Sequence, residues 1–144
     1  MTKLLKFVHL DDHQLFQAGV RKCLNPETNN VFIQGFQYSD EAFLYVKKCL
    51  DLNQSVDLII TDLNHPGQNG YEFAKSIRRY ECSFFIRIPI LLLSMCSPKY
   101  SDLAQKGLDE RLFDWNLTKN ASREEIWEVV GRLTGLRGGL TVPV

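Results

Sequence analysis

No run of apolar residues in this chain approaches the roughly 20 needed to cross a bilayer, so no transmembrane helix is expected. Charge of one sign is equally missing: 17 Lys plus Arg against 17 Asp plus Glu give a net charge of zero. A broad electrostatic footprint for nucleic acid or anionic membrane is therefore not expected, and a free-standing DNA binder would be more basic. The amino terminus lacks the long apolar region and small-residue cleavage site of a signal peptide, because Lys3, Lys6 and His9 interrupt it and two acids follow. These absences point to a soluble, cytoplasmic protein. Cys23, Cys49, Cys82 and Cys96 lie far apart without a Cys-x-x-Cys pair, and with three histidines they indicate neither a zinc site nor a disulfide framework. Internal repeats and low-complexity segments are also missing.

What is present reads as one domain. A chain of 144 residues supports a single core, and 44% hydrophobic with 24% charged residues excludes a disordered chain, a collagen or a coiled coil. Residues 4–10 form a short apolar run with β-favouring Phe7 and Val8, after which Phe16, Val20, Cys23 and Leu24 recur at helical spacing. Pro26 to Asn30 offers turn chemistry and residues 31–33 a second strand; Ser39 or Asp40 could cap a helix with Phe43, Val46 and Leu50 on one face. Residues 57–61 read as a buried strand, followed by a loop with Pro66, Gly67 and Gly70, then a helix with Phe73, Ala74 and Ile77 inward and Lys75, Arg78 and Arg79 outward. Residues 88–93 fit a strand covered on both faces; Ser97-Pro98 opens a helix that Gly107 can close. Residues 111–118 put Phe113, Trp115 and Leu117 on one side of an edge strand, and Ser122 with Glu125 forms a capping box before Ile126, Val129, Val130 and Leu133. Five strands alternating with five helices predict an α/β fold, a doubly wound parallel sheet with helices on both faces.

In such a sheet, ligands bind beyond the carboxyl ends of the strands. Those ends carry Asp11-Asp12, Asp62, Ser94 and Thr118-Lys119. Three carboxylates repel one another unless a cation sits among them, and a hard, oxygen-liganded ion such as Mg2+ meets that need. Ser94 and Lys119 suit phosphate oxygens, the one by hydrogen bond and the other by charge, and an aspartate can itself be the nucleophile. Each residue alone has an ordinary role: acids cap helices, a terminal serine is hydrogen-bonded, a loop lysine is solvated. Their joint placement at four of five strand ends is what argues for phosphoryl-transfer chemistry. His13 and His65 lack partners at ligand spacing, and His9, inside the first strand, reads as a hydrogen-bonded core residue.

This pattern resembles the receiver domain of two-component response regulators, a five-stranded (βα)5 flavodoxin-like fold. The resemblance is nearer still to NarL/FixJ-type receivers in Asp11-Asp12-His13-Gln14-Leu15-Phe16 with Gly19-Val20, and in the stretch from Asp62-Leu63-Asn64 through Pro66-Gly67 to Gly70. It covers residues 1–136, leaving 137–144 as a glycine-containing tail. The resemblance implies that Asp62 accepts a phosphoryl group from a sensor histidine kinase or phosphotransfer protein. It further implies that Asp11, Asp12, Asp62 and the backbone carbonyl of Asn64 hold Mg2+, that Ser94 and Lys119 contact the phosphoryl oxygens, and that Asn64 and Cys96 tune its lifetime. Output would pass to a downstream protein target, not directly to nucleic acid or membrane, and the oligomeric state stays open, a homodimer included.

Three departures follow Ser94. The usual aromatic switch position is Asn116, the residue after the lysine is Asn120 in place of proline, and residues 107–119 make a longer connection. A trans Lys119-Asn120 bond is expected, because cis before a non-proline residue costs about 2.5 to 4 kcal/mol. A phosphorylation-controlled interaction module, not a metabolic enzyme, is the leading expectation. An aspartate-nucleophile phosphohydrolase is the alternative, although Asn64 stands where such an enzyme carries its second acid; a degenerate, phosphorylation-independent receiver is another. Trp127, just off the inward stripe of the last helix, is either a partner anchor or a residue at the core margin.

Overall fold

The computed structural model describes residues 4–24, 26–63, 69–95 and 98–135. Five strands, β1 (Leu5–Leu10), β2 (Val31–Phe36), β3 (Leu58–Thr61), β4 (Ile90–Ser94) and β5 (Trp115–Thr118), pair in parallel in the order β2-β1-β3-β4-β5. The central β3 and β4 are buried on both faces, as their near-continuous Leu/Ile character requires, and β1 is buried except at Lys6, which is partly exposed. Among the described residues six α-helices connect and follow them: α1 (Gln14–Leu24), α2 (Pro26–Asn29), α3 (Ser39–Asp51), α4 (Gly70–Glu81), α5 (Pro98–Asp109) and α6 (Arg123–Thr134). Among the described residues no helix is long and apolar enough to cross a membrane.

The sheet separates two apolar layers. On one face Val8, Leu10, Ile59 and Leu92 meet Val46 of α3, Phe73 and Ile77 of α4, and Ala104 of α5. On the other Phe7, Leu58, Ile60 and Leu93 meet Val20 and Leu24 of α1 and Ile126, Val129 and Val130 of α6. The Ser122–Glu125 capping box forms with both bonds in place. Trp127 sits at the core margin, its Nε1 donating to the Cys23 carbonyl at 3.0 Å, so α6 is stitched to α1.

Several local expectations are corrected. Residues 26–29 form a short helix instead of a plain turn, since Pro26 fits a first helical turn and the Asn29 amide donates to the Leu24 carbonyl at 2.7 Å. Neither Ser39 nor Asp40 caps α3: Tyr38 occupies that position without a side-chain bond, and both residues lie within the first turn. Gly107 does not end α5. The helix continues through it to Asp109, and the glycine is needed because a Cβ there would stand 2.3 Å from Cε2 of buried Phe113. The last strand starts at Trp115, not Arg111. Phe113 packs into the α3/α4/α5 layer whereas Leu117 packs on the α1/α6 layer, so the expected single face does not exist. The cause lies in Asp114, whose carboxylate accepts from Ile90 N at 2.8 Å and pairs with Arg78 and Arg87. Arg78 is accordingly not outward. Its guanidinium bonds Glu81 and the Ile88 and Leu112 carbonyls, which ties the carboxyl end of α4 to the beginnings of β4 and β5.

Candidate functional site

Three site residues continue the backbone ladder one step beyond their strands, and Ser94 ends β4 itself. Asp11 N donates to the Phe36 carbonyl (3.0 Å), Asp62 N to the Leu10 carbonyl (3.1 Å) and Lys119 N to the Ser94 carbonyl (2.9 Å). The sheet thus fixes where Asp11, Asp62 and Lys119 emerge. Asp62 is held from the other side as well: α4 comes so close that a Cβ on Gly70 would lie 2.2 Å from the Asp62 carbonyl oxygen, and Gly70 N donates to Leu63 O at 2.9 Å. Asn69 caps that helix by accepting from Glu72 N at 2.8 Å.

One ligand oxygen from each of Asp11, Asp12 and Asp62 falls within 4.8 Å of the others. Asp11 is fully buried, Asp62 nearly so and Asp12 exposed. The Lys119 ammonium bridges the two buried acids, 2.8 Å from Asp11 Oδ2 and 3.1 Å from Asp62 Oδ2. Burial alone would lower the Lys119 pKa, but its bonds to Asp11 and Asp62 outweigh that and raise it, so the group stays cationic. The other Asp11 oxygen accepts from His13 N at 2.8 Å. A cavity of about 360 Å3 opens here, lined by Asp12, His13, Asp62, Ser94, Met95 and Lys119 among others.

The structure therefore brings together Asp11, Asp12, Asp62, Ser94 and Lys119. Asn64, His65 and Cys96 lie outside the described residues. The Lys119-Asn120 bond is trans, as expected for a bond before asparagine. His9 is buried beneath the site, yet its Nε2 has no hydrogen-bond partner, which corrects the expectation of a satisfied core histidine. Burial, with Lys119 and Arg21 adding repulsion, pushes its pKa down to about 3, so the ring is neutral. Two contributors were not singled out from the sequence. Phe16 presents its ring 4.7 Å from the Lys119 ammonium, and Gln17 Nε2 donates to the carbonyls of Asp11 (2.5 Å) and Phe36 (2.8 Å). The signal for Phe16 was its place in the motif after Asp11; Gln17 lies outside the quoted motif residues and had none.

A parallel five-stranded sheet presenting acids, a hydroxyl and a lysine at one edge defines the receiver class. Residues 8–131 match the family model described as the response regulator receiver domain, and the chain belongs to that family. It is 32% identical over 77 residues to the transcriptional regulatory protein DegU of Brevibacillus brevis, a stretch covering 53% of this chain and 30% of that relative. Similar solved structures include the signal receiver domain of the response regulator NarL from Mycobacterium tuberculosis, 24% identical with a TM-score of 0.72, covering 94% of this chain and 100% of that one. The chemotaxis response regulator CheY4 of Vibrio cholerae is 24% identical with a TM-score of 0.71, covering 91% and 99% respectively. At these identities the structural likeness speaks for the fold.

Proposed function

We propose that this receiver takes a phosphoryl group onto Asp62 from a phosphohistidine of a sensor histidine kinase or phosphotransfer protein, and signals by binding a downstream protein. The observation carrying this reading is the Lys119 ammonium bridging Asp11 and Asp62 at the mouth of a cavity that Ser94 also lines. An Asp62 carboxylate oxygen would attack phosphorus in line, the bond from phosphorus to the donor nitrogen would break, and the histidine would leave. Lys119 stands where charge on the transferred oxygens must be balanced, and Ser94 supplies a hydroxyl donor on the same wall. The donor set fits a hard divalent cation, since it is all oxygen and one of its acids is exposed. Asp11, Asp12 and Asp62 would hold Mg2+, which when bound neutralises the carboxylates and the incoming phosphate. Control of partner binding, not turnover of a metabolite, is the role this arrangement serves.

Intact mass after incubation with Mg2+ and acetyl phosphate tests the reading. The expected result is a gain of one phosphoryl group per chain that Mg2+ chelation prevents, that Asp62→Asn abolishes and that Asp12→Asn slows. Full phosphorylation of Asp62→Asn would refute the acceptor assignment. Sustained hydrolysis of a phosphomonoester over many turnovers would instead favour the phosphohydrolase.

A further inference from the structure

The edge of the sheet opposite the carboxylates carries a feature that phosphoryl acceptance does not use. Between a 3-10 turn at Cys82–Phe84 and β4, Phe85 holds a left-handed backbone (φ 54°, ψ 37°), and its side chain is 97% exposed. Glycine or asparagine ordinarily fills such a position, because a Cβ is strained there. Folding gains nothing from a phenylalanine that is both strained and in water. Directly beside it runs a cleft of about 320 Å3 whose walls include Leu50, Val56, Phe84, Ile86 and Ile88. Ile86 is 43% exposed and Leu52, next to the lining Asn53, is 58% exposed.

We propose that this edge is a self-association surface, in which Phe85 of one copy enters the cleft of a second copy and receives that copy's Phe85 in return. Phe84 and Ile86, the immediate neighbours of Phe85, are walls of the cleft, so projection and receptor belong to one patch. A twofold axis then makes both contacts at once, the self-complementarity that an isologous interface requires. An unrelated partner would have to carry a matching projection and a matching cleft. Phe85 is 97% exposed and is not among the residues lining its own cleft, so it does not fill that cleft. Charge does not oppose the encounter: the chain's net charge is zero, and Arg87 on the rim is already paired with Asp114 at 2.8 Å. Stable interfaces bury about 1,200 to 2,000 Å2, so a contact centred on one projecting side chain per copy is expected to be weak and concentration-dependent.

Sedimentation of the full chain, from about ten micromolar to one millimolar, provides the test. The expected result is a reversible monomer–dimer equilibrium. Phe85→Gly suits the left-handed backbone, so it should fold at least as well in urea unfolding while weakening the dimer by about thirtyfold or more, as truncating an interface anchor does. Ser55→Arg, placing a charge in the cleft, should act likewise. Both variants should still take up phosphate at Asp62, so a failure of this proposal is separable from a failure of the phosphoacceptor reading. A monomer at every concentration, a dimer of unchanged affinity in Phe85→Gly, or a Phe85-dependent complex with a different protein in place of the dimer would each overturn it.

Discussion

At the scale of the residue, the ammonium of Lys119 is held by three side chains and not by the bond that follows it. Asp11 and Asp62 fix it from one direction, and the Phe16 ring faces it from another at 4.7 Å. A cation over an aromatic face gains about 0.5 to 2 kcal/mol, which corresponds to roughly twofold to thirtyfold in a rate that depends on its placement. Phe16→Leu is therefore expected to slow acetyl-phosphate labelling of Asp62 at least about twofold, and Phe16→Tyr, which keeps the ring, should restore it. Labelling of Phe16→Leu at the unaltered rate would remove Phe16 from the positioning role. Gly70 sets a harder limit, since any Cβ there drives backbone against the Asp62 carbonyl, 2.2 Å away. Gly70→Ala should lower both stability and labelling, measured by urea unfolding and intact mass.

At the scale of the element, glycine in α5 shows two effects competing. Alanine is favoured over glycine inside a helix by about 1 kcal/mol. Overpacking a rigid core site costs about 1 to 3 kcal/mol, and Phe113, 2% exposed, has its ring 2.3 Å from the Cβ that Gly107→Ala would add. Packing wins, so Gly107→Ala should lower the urea midpoint; a raised midpoint would mean that the ring relaxes freely. The same position shows where reading the sequence stops. Strands such as β3 and β4, and the cap of α6, are legible because their information is local: a continuous apolar run, or Ser and Glu three apart. Arg78 as a clamp and Asp114 as the break before β5 depend on partners tens of residues away, and Gly107 as a contact depends on the chain folding Phe113 back onto the helix, so periodicity within a window cannot register them. The site was legible for a different reason. Strand ends in a parallel sheet converge, so chemistry-bearing residues located one per strand are assembled by the topology itself. Phe16 and Gln17 escaped because an aromatic and an amide on an amphipathic helix look like core and solvent face.

At the scale of the whole molecule, the buried histidine among the described residues, His9, couples folding to pH through its neutrality. The buried His9 ring has its pKa pushed down to about 3 from an ordinary 6.5, first by burial and then by repulsion from Lys119 and Arg21. Between those two values the unfolded chain binds a proton that the folded chain refuses, so stability rises with pH across the interval. The contribution is complete above about pH 6.5 and is lost progressively as pH falls toward 3. Its slope is at most about 1.4 kcal/mol per pH unit for one proton. Carboxylates that are paired in the native state weaken it over a more acidic range, because their stabilisation is lost only as they protonate. The two contributions are thus separable between pH 6.5 and pH 5, where histidine dominates. Urea unfolding across that range should show a falling midpoint in the natural protein and a flatter profile in His9→Leu, whatever the variant's absolute stability at neutral pH. Equal slopes would mean that the folded protein admits the proton, by opening the face of β1 under α1 or by supplying Nε2 with a partner, and the neutral core histidine would have to be abandoned.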